Sequence, residues 1–518
     1  MITDIWSLIS PKFISQPEQI AWLRRLPNSG HKACSYEQIY QYANRYAKLL
    51  KDAGVGVGDI VTIFAPNGPE WGIAALAVWK LGAIVAPVHP GNSDHDIKVE
   101  LEALAPKVVM CHGESRPIPN TIKMQIDLEG DFEDAIGDDS NLVVDLESEA
   151  VRIYTSGSTG NSKIVRLSHR NIVSNIVALS KLMAVDRSDR FLSLLPLSHT
   201  MELTGGFLFA LYSGSTIVLP RVLAASEILE ALREEKISLL VGVPRLYRNI
   251  MLGLDKRFRQ GGSMLGLYLR ILKCLPVFLR RRLNWPIRKH LGGNIKVWIS
   301  GGSRLDPKIS GYFQQLGLPL IQGYGLTETS PVISMQKTFD SILDSVGDPL
   351  EEIEVKIHNA DDKGHGELWV KGPNVMLGYL TQAQNDQVFE DGWFKTGDLA
   401  CIDQDRKITI TGRLKRLIVT EAGKNVYPEE LETLLERLDG VKEAGVFEMN
   451  LRPAAVLAVD ESVNFDGAKQ LIQEFNKLVS SHNRIFRFAL TNELPRTPVG
   501  KVAIKDLPKM FSDNEVAS

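Results

Sequence analysis

The segment Tyr154-Thr155-Ser156-Gly157-Ser158-Thr159-Gly160-Asn161-Ser162-Lys163 decides how this chain is read. Small hydroxyl side chains and glycines let a backbone approach a phosphate closely. Free N–H groups and hydroxyls donate to its oxygens, and Lys163 adds a point charge. The stretch follows strand-like residues 151–154 and precedes a helical run expected from near His169. That order of strand, loop and helix suits anion binding. No G-x-x-x-x-G-K-[ST] occurs, so the loop is not of the Walker type. Taken alone, the segment also fits a flexible Ser/Gly turn.

Working outward, helix and strand patterns alternate along most of the 518 residues. Residues 36–53 carry Ile39, Tyr42, Tyr46, Leu49 and Leu50 at helical spacing, with Ser35 and Gln38 placed as a capping box. Residues 59–65, 83–88, 239–243 and 296–300 read as short strands, and 70–81 as a helix. Such alternation argues for α/β layers with parallel sheet. After Gly412-Arg413-Leu414-Lys415-Arg416 the pattern becomes a compact α+β unit with a helix expected over 428–438. A hinge there divides a large N-terminal domain, 1–411, from a small one, 412–518.

Composition narrows the class. Apolar residues make up 44% and charged residues 23%, with net charge −3, which is ordinary globular composition and gives no footprint for nucleic acid. Cys34, Cys111, Cys274 and Cys401 are too scattered for a metal or redox motif. Residues 1–20 lack a basic start followed by an apolar run, so no secretory signal is expected. The best apolar stretch, 71–88, is broken by Lys80, Gly82 and Pro87 and reads as a core helix leading into a buried strand. A cytoplasmic protein is expected.

Further motifs follow the first in order. Gly301-Gly302-Ser303-Arg304-Leu305 closes a strand. Gly323-Tyr324-Gly325-Leu326-Thr327-Glu328-Thr329 sets a threonine and a carboxylate after a glycine turn. Gly366-Glu367-Leu368-Trp369-Val370 and Gly378-Tyr379 read as scaffold. Thr396-Gly397-Asp398-Leu399 holds an acid that could accept from a ribose diol. Pro495-Arg496-Thr497-Pro498-Val499-Gly500-Lys501-Val502 puts a lysine near the end.

Together these motifs resemble the adenylate-forming superfamily: acyl-CoA synthetases, luciferases and peptide-synthetase adenylation domains. Its loop reads T-S-G-[ST]-T-G-x-P-K-G, from which this chain departs at Ser162 and Ile164. The likeness extends in outline over residues 30–505. It implies a layered α/β N-terminal domain with a small mobile C-terminal domain. It implies that Thr155, Ser156, Gly157, Ser158, Thr159, Gly160 and Lys163 hold phosphate and that Gly301, Gly302 and Ser303 run along adenine, with Arg304 replacing the usual proline. Gly323, Tyr324 and Gly325 would line the base, Thr327 would contact the α-phosphate, and Glu328 would hold Mg²⁺, a hard cation suited to carboxylate and phosphate oxygens. Asp398 and Arg413 would bind ribose and phosphate, Lys415 would be the hinge, and Lys501 the catalytic lysine.

The resemblance implies attack of a carboxylate on MgATP to give acyl-AMP, then transfer to the thiol of CoA. The phosphopantetheine of an acyl carrier protein is the main alternative acceptor, and closure to a β-lactone another. A non-catalytic nucleotide-binding homologue and a kinase-type phosphotransferase are readings from other classes. In Leu195-Pro196-Leu197-Ser198-His199, His199 matches the residue that gates the carboxylate pocket, or is an ordinary loop histidine. Val241-Gly242-Val243-Pro244-Arg245-Leu246-Tyr247 is similar to an element of long-chain acyl-CoA synthetases, which favours a medium- or long-chain fatty acid. Residues 262–290 mix Leu, Phe, Val and Trp with Arg270, Lys273, Arg280, Arg281, Arg282, Arg288 and Lys289. Such a face fits a solvated helix, slightly the better reading, or a peripheral membrane contact.

Overall fold

The computed structural model describes residues 2–27, 30–112, 122–126, 142–155, 163–260, 271, 275–337, 342–421, 424–461, 463–496, 502–511 and 516–517. They form two compact units, the first comprising Met1–Glu354 with Val370–Phe394 and the second Val355–Trp369 with Lys395–Ser518. The layered α/β reading holds. The adenylate-forming fold expected from the motifs is the fold observed.

In the first unit, the helix Tyr36–Asp52 starts on the capping box expected of Ser35 and Gln38 and buries Ile39, Tyr42, Tyr46 and Leu50. The helix Pro69–Lys80 has proline in its first turn, where the missing N–H costs nothing, and every one of its residues is buried. It ends at Gly82, whose φ of 64° suits glycine. Burying Lys80 is tolerated because its Nζ donates to Asn44 Oδ1 at 2.5 Å and lies 5.3 Å from the Trp6 ring.

Two sheets carry the site. In the nine-stranded sheet, Val297–Ser300 lies parallel between Leu239–Gly242 and Leu320–Gly325. In the seven-stranded sheet, Ile84–Pro87 is parallel to Glu149–Thr155, which pairs antiparallel with Lys163–Ser168. This corrects the expected strand, loop and helix order. Ile164, Val165 and Leu167 make a second strand that zips against the first, and the helix His169–Leu182 begins only after it. The described ladder runs up to the Thr155–Lys163 pair on either side of residues 156–162.

In the second unit, Trp393–Ile402 and Ile408–Arg413 form an antiparallel hairpin. The helix Pro428–Leu435 packs beside it, with the Glu429 carboxylate against Gly412. The hairpin so belongs by packing with the residues that follow, and 411/412 falls inside this unit. Val441–Met449, Arg452–Val459 and Arg487–Thr491 build its sheet over a core that includes Val446, Leu457, Ile472 and Phe488.

Candidate active site

The two strands that flank residues 156–162 are pinned to each other. Thr155 faces Lys163 across the ladder, and Thr155 Oγ1 donates to the Lys163 carbonyl at 3.2 Å. Ser156, Gly157, Ser158, Thr159 and Gly160 lie outside the described residues. On the far side of Lys163–Ser168, Tyr379 pairs with Val165 and Gly378 with Arg166. That register sets the Tyr379 ring 4.2 Å from Lys163 Nζ. Its phenol donates to Glu328 Oε1 at 2.7 Å. Burial first, and then the Glu328 charge, push the Tyr379 hydroxyl well above its ordinary range, so it remains a donor.

Glu328 sits on the short 3₁₀ turn Thr327–Thr329. Thr329 Oγ1 donates to the Pro331 carbonyl at 2.7 Å, and the Met376 N–H donates to the Glu328 carbonyl at 2.9 Å. Asn374 donates to the Thr329 and Val332 carbonyls, both at 3.1 Å. Asn171 holds the neighbouring loop through the Pro373 and Val375 carbonyls at 2.8 and 2.7 Å. Ahead of the turn, a Cβ on Gly325 would stand 1.7 Å from the Pro331 carbonyl oxygen, so only glycine fits. Gly323, Tyr324, Thr327 and Glu328 are all partly exposed.

Gly301 and Gly302 follow their strand as expected. Gly302 has φ 82°, and a Cβ on Gly301 would press on Met201 Sδ. Ser303 is exposed, and Arg304 pairs with Asp344 at 2.9 Å. Tyr247, from the segment similar to long-chain synthetases, is fully buried and donates to the Ile299 carbonyl at 2.8 Å, tying its helix to the strand before Gly301.

His199 is partly buried on a loop clamped by Asn67. Asn67 Nδ2 donates to the Leu195 carbonyl at 2.6 Å and to Ser193 Oγ at 3.1 Å, while Oδ1 accepts from the Leu197 N–H at 2.9 Å. After His199 comes a π-helical segment, Met201–Leu208, a distortion often found at functional sites. Within it Glu202 is 1% exposed, and burial raises its carboxyl to about 8 despite hydrogen bonds from Ser193 and Leu195. It is thus mostly protonated at neutral pH. Tyr379, Asn67 and Glu202 were not among the expected site residues. Only Glu202 carries a local signal, an acid in an otherwise apolar run ending in Gly205-Gly206.

In the second unit Asp398 is 2% exposed and receives Arg413 Nε at 2.7 Å, the two residues facing each other in the ladder. Gly397, just before Asp398, has φ 70° within the strand Trp393–Ile402. Lys415 is exposed on the 3₁₀ turn Leu414–Arg416, and Arg416 anchors that turn to Glu429 and Glu432 at 3.0 and 2.6 Å. Lys501 lies outside the described residues. Its flanking residues Arg496 and Val502 form an isolated bridge.

A Mg²⁺ ion commonly takes one or two carboxylates, waters and the substrate's phosphate oxygens. Among the described residues no cluster of three acids, histidines or cysteines could hold a metal alone. A partly exposed carboxylate, Glu328, joined through Tyr379 to the neighbourhood of Lys163, fits the shared mode of binding.

Comparison with known proteins gives the family. The model of the family described as AMP-binding enzyme matches residues 15–380. The chain is 27% identical over 510 residues to 4-coumarate–CoA ligase 3 of Oryza sativa subsp. japonica, covering 91% of this chain and 86% of the relative. It is 28% identical over 470 residues to the long-chain-fatty-acid–CoA ligase FadD15 of Mycobacterium bovis, covering 81% and 76%. The fold matches that of o-succinylbenzoate coenzyme A synthetase of Bacillus subtilis, solved with ATP and magnesium, at TM-score 0.79 and 23% identity, covering 97% and 99%. With the family model matched over residues 15–380, well over half of its length, the chain belongs to the AMP-binding enzyme family.

Proposed function

We propose that this protein activates a carboxylic acid with ATP to an acyl-adenylate and passes the acyl group to the thiol of CoA. The observation that carries the reading is the row Lys163, Tyr379 and Glu328, in which one phenol links the phosphate lysine to the carboxylate suited to Mg²⁺.

In the first half-reaction a carboxylate oxygen bonds to the α-phosphorus as the bond to the β-phosphate oxygen breaks, and pyrophosphate leaves. Little covalent work falls to the protein, so positioning and charge neutralisation carry the step. Lys163 and the backbone of residues 155–160 receive phosphate, Thr327 contacts the α-phosphate, and Asp398 with Arg413 takes the ribose. Bound at Glu328, Mg²⁺ would supply charge neutralisation to the phosphates. Lys501 lowers the repulsion between the two anions that must react. In the second half-reaction the thiolate sulfur attacks the acyl carbonyl and AMP leaves. We assign Lys415 as the pivot between the two stages.

The acid we favour is a medium- or long-chain fatty acid. The segment ending at Tyr247 and the likeness to a long-chain-fatty-acid–CoA ligase support it. Carrier-protein phosphopantetheine offers the same thiol and is the second acceptor.

A panel of carboxylic acids read by pyrophosphate release tests the proposal. Acid-dependent release with AMP as the nucleotide product is expected, and Lys501→Ala should abolish most of it. ADP as product would point to a phosphotransferase, and nucleotide binding without exchange across the panel to a binding homologue. Supplying CoA, holo carrier protein or neither then identifies the acceptor.

A further inference from the structure

Residues 256–305 contain twelve Lys and Arg and no Asp or Glu, in a chain whose net charge is −3. The other 47 basic residues share the sequence with all 62 acids, so the chain is charged unevenly. The helices Val277–Leu283 and Trp285–His290 lie in this block. They are fastened from within by Ile287 and Leu291, which join the buried cluster around Trp298 and Phe313. Arg280 and Arg288 turn inward onto the Leu275 and Ile295 carbonyls at 2.5 and 3.3 Å.

What remains outward is both basic and apolar. Arg282 and Lys289 are exposed, Leu283 is 47% exposed, and Trp285 is 61% exposed with Lys289 Nζ 4.9 Å from its ring. We propose that the outward face of these two helices, carrying Arg282, Leu283, Trp285 and Lys289, docks on an anionic lipid surface. A solvated basic helix has no use for an indole and a leucine presented side by side to water. An acidic protein or a nucleic acid would be satisfied by the cations. A bilayer interface uses both, with tryptophan at headgroup depth and basic residues over anionic lipid. The inference stands apart from the reading of the active site, because it concerns where the protein rests and not what it catalyses. No helix among the described residues is long and apolar enough to cross a membrane, so the contact is peripheral.

The test is co-sedimentation of the full chain with vesicles of phosphatidylcholine alone or mixed with phosphatidylglycerol. Binding to the anionic vesicles is expected, weakening as salt rises. Each basic residue near such a surface is worth roughly fivefold in affinity. Arg282→Glu with Lys289→Glu should therefore cost at least about tenfold. Leu283→Ala with Trp285→Ala should weaken binding without changing its salt dependence. Thermal melting of each variant confirms that it remains folded, and pyrophosphate release with a water-soluble acid should be unchanged. Equal binding to neutral vesicles, or none to either, overturns the proposal. So does binding of RNA or holo carrier protein that depends on these four residues while vesicles are ignored.

Discussion

The Tyr379 phenol donates to Glu328 Oε1 at 2.7 Å, across 51 residues of sequence, while the face of the same ring receives Lys163 Nζ at 4.2 Å. Under the proposed function, one side chain therefore spaces the phosphate-binding lysine from the carboxylate for Mg²⁺. Without the ring, the two opposite charges could collapse onto each other and cancel before any nucleotide arrived. The tyrosine keeps both available.

Tyr379→Phe isolates the hydroxyl. A hydrogen bond to a charged acceptor contributes about 1.5–3 kcal/mol. Loss of the donor should loosen the Glu328 rotamer and raise the Mg²⁺ concentration needed for half-maximal pyrophosphate exchange by about tenfold. The cation–π contact survives in phenylalanine, so the melting temperature should fall by no more than the few degrees that one hydrogen bond accounts for. An unchanged Mg²⁺ requirement would show that the hydroxyl does not position Glu328.

Asn67→Ala addresses the loop that carries His199. The substitution removes the donor to Leu195 and Ser193 and the acceptor for Leu197. Leaving partly buried polar groups unpaired costs about 1–3 kcal/mol each. If the loop shapes the acid site, KM for the carboxylic acid should rise while KM for ATP stays near its original value. A parallel rise in both would point to general loosening of the unit.

These two residues also mark the limit of what could be read from the chain. The helices Tyr36–Asp52 and Pro69–Lys80 were legible because their caps and apolar spacing are local. The family motifs were legible because each is contiguous. Tyr379 looked like scaffold because its partner lies 51 residues away, and nothing in Gly378-Tyr379 announces a carboxylate. Asn67 sits in a connection without periodicity. The strand Lys163–Ser168 is masked in the sequence by the glycine-rich segment before it and the helix pattern after it, although Ile164, Val165 and Leu167 favour a strand.

Glu202 predicts a stability change on the alkaline side. Burial lifts its folded value to about 8, above its ordinary 4.5. A raised value means the folded state binds the proton more tightly. Its contribution is therefore fully present below about 4.5 and is lost as pH rises through about 8. Glu202→Gln keeps the size and a neutral donor and cannot ionise, so its melting temperature should fall less between about pH 6 and about pH 9 than that of the parent. Glu202→Ala should be less stable at every pH, because it also leaves a cavity. Parallel pH curves for parent and Gln variant would show that Glu202 does not titrate in this range.

His169 predicts the opposite slope. The residue is fully buried at the start of its helix, Nδ1 accepts from the Ile5 N–H at 3.2 Å, and Nε2 has no hydrogen-bond partner among the described residues. Burial lowers it to about 4, from an ordinary 6.5. The unfolded chain therefore takes up the proton first. The stability at stake is whole above about 6.5 and drains as pH falls through about 4, amounting to about 3 kcal/mol at most. His169→Asn offers Ile5 a carbonyl acceptor and does not titrate. It should lower the melting temperature near neutrality, where packing is lost, yet narrow the gap to the parent as the solution is acidified from about pH 6.5 to about pH 4. A gap that stays constant across that interval would mean the imidazole is protonated in the fold as readily as in water, and that burial does not hold it neutral.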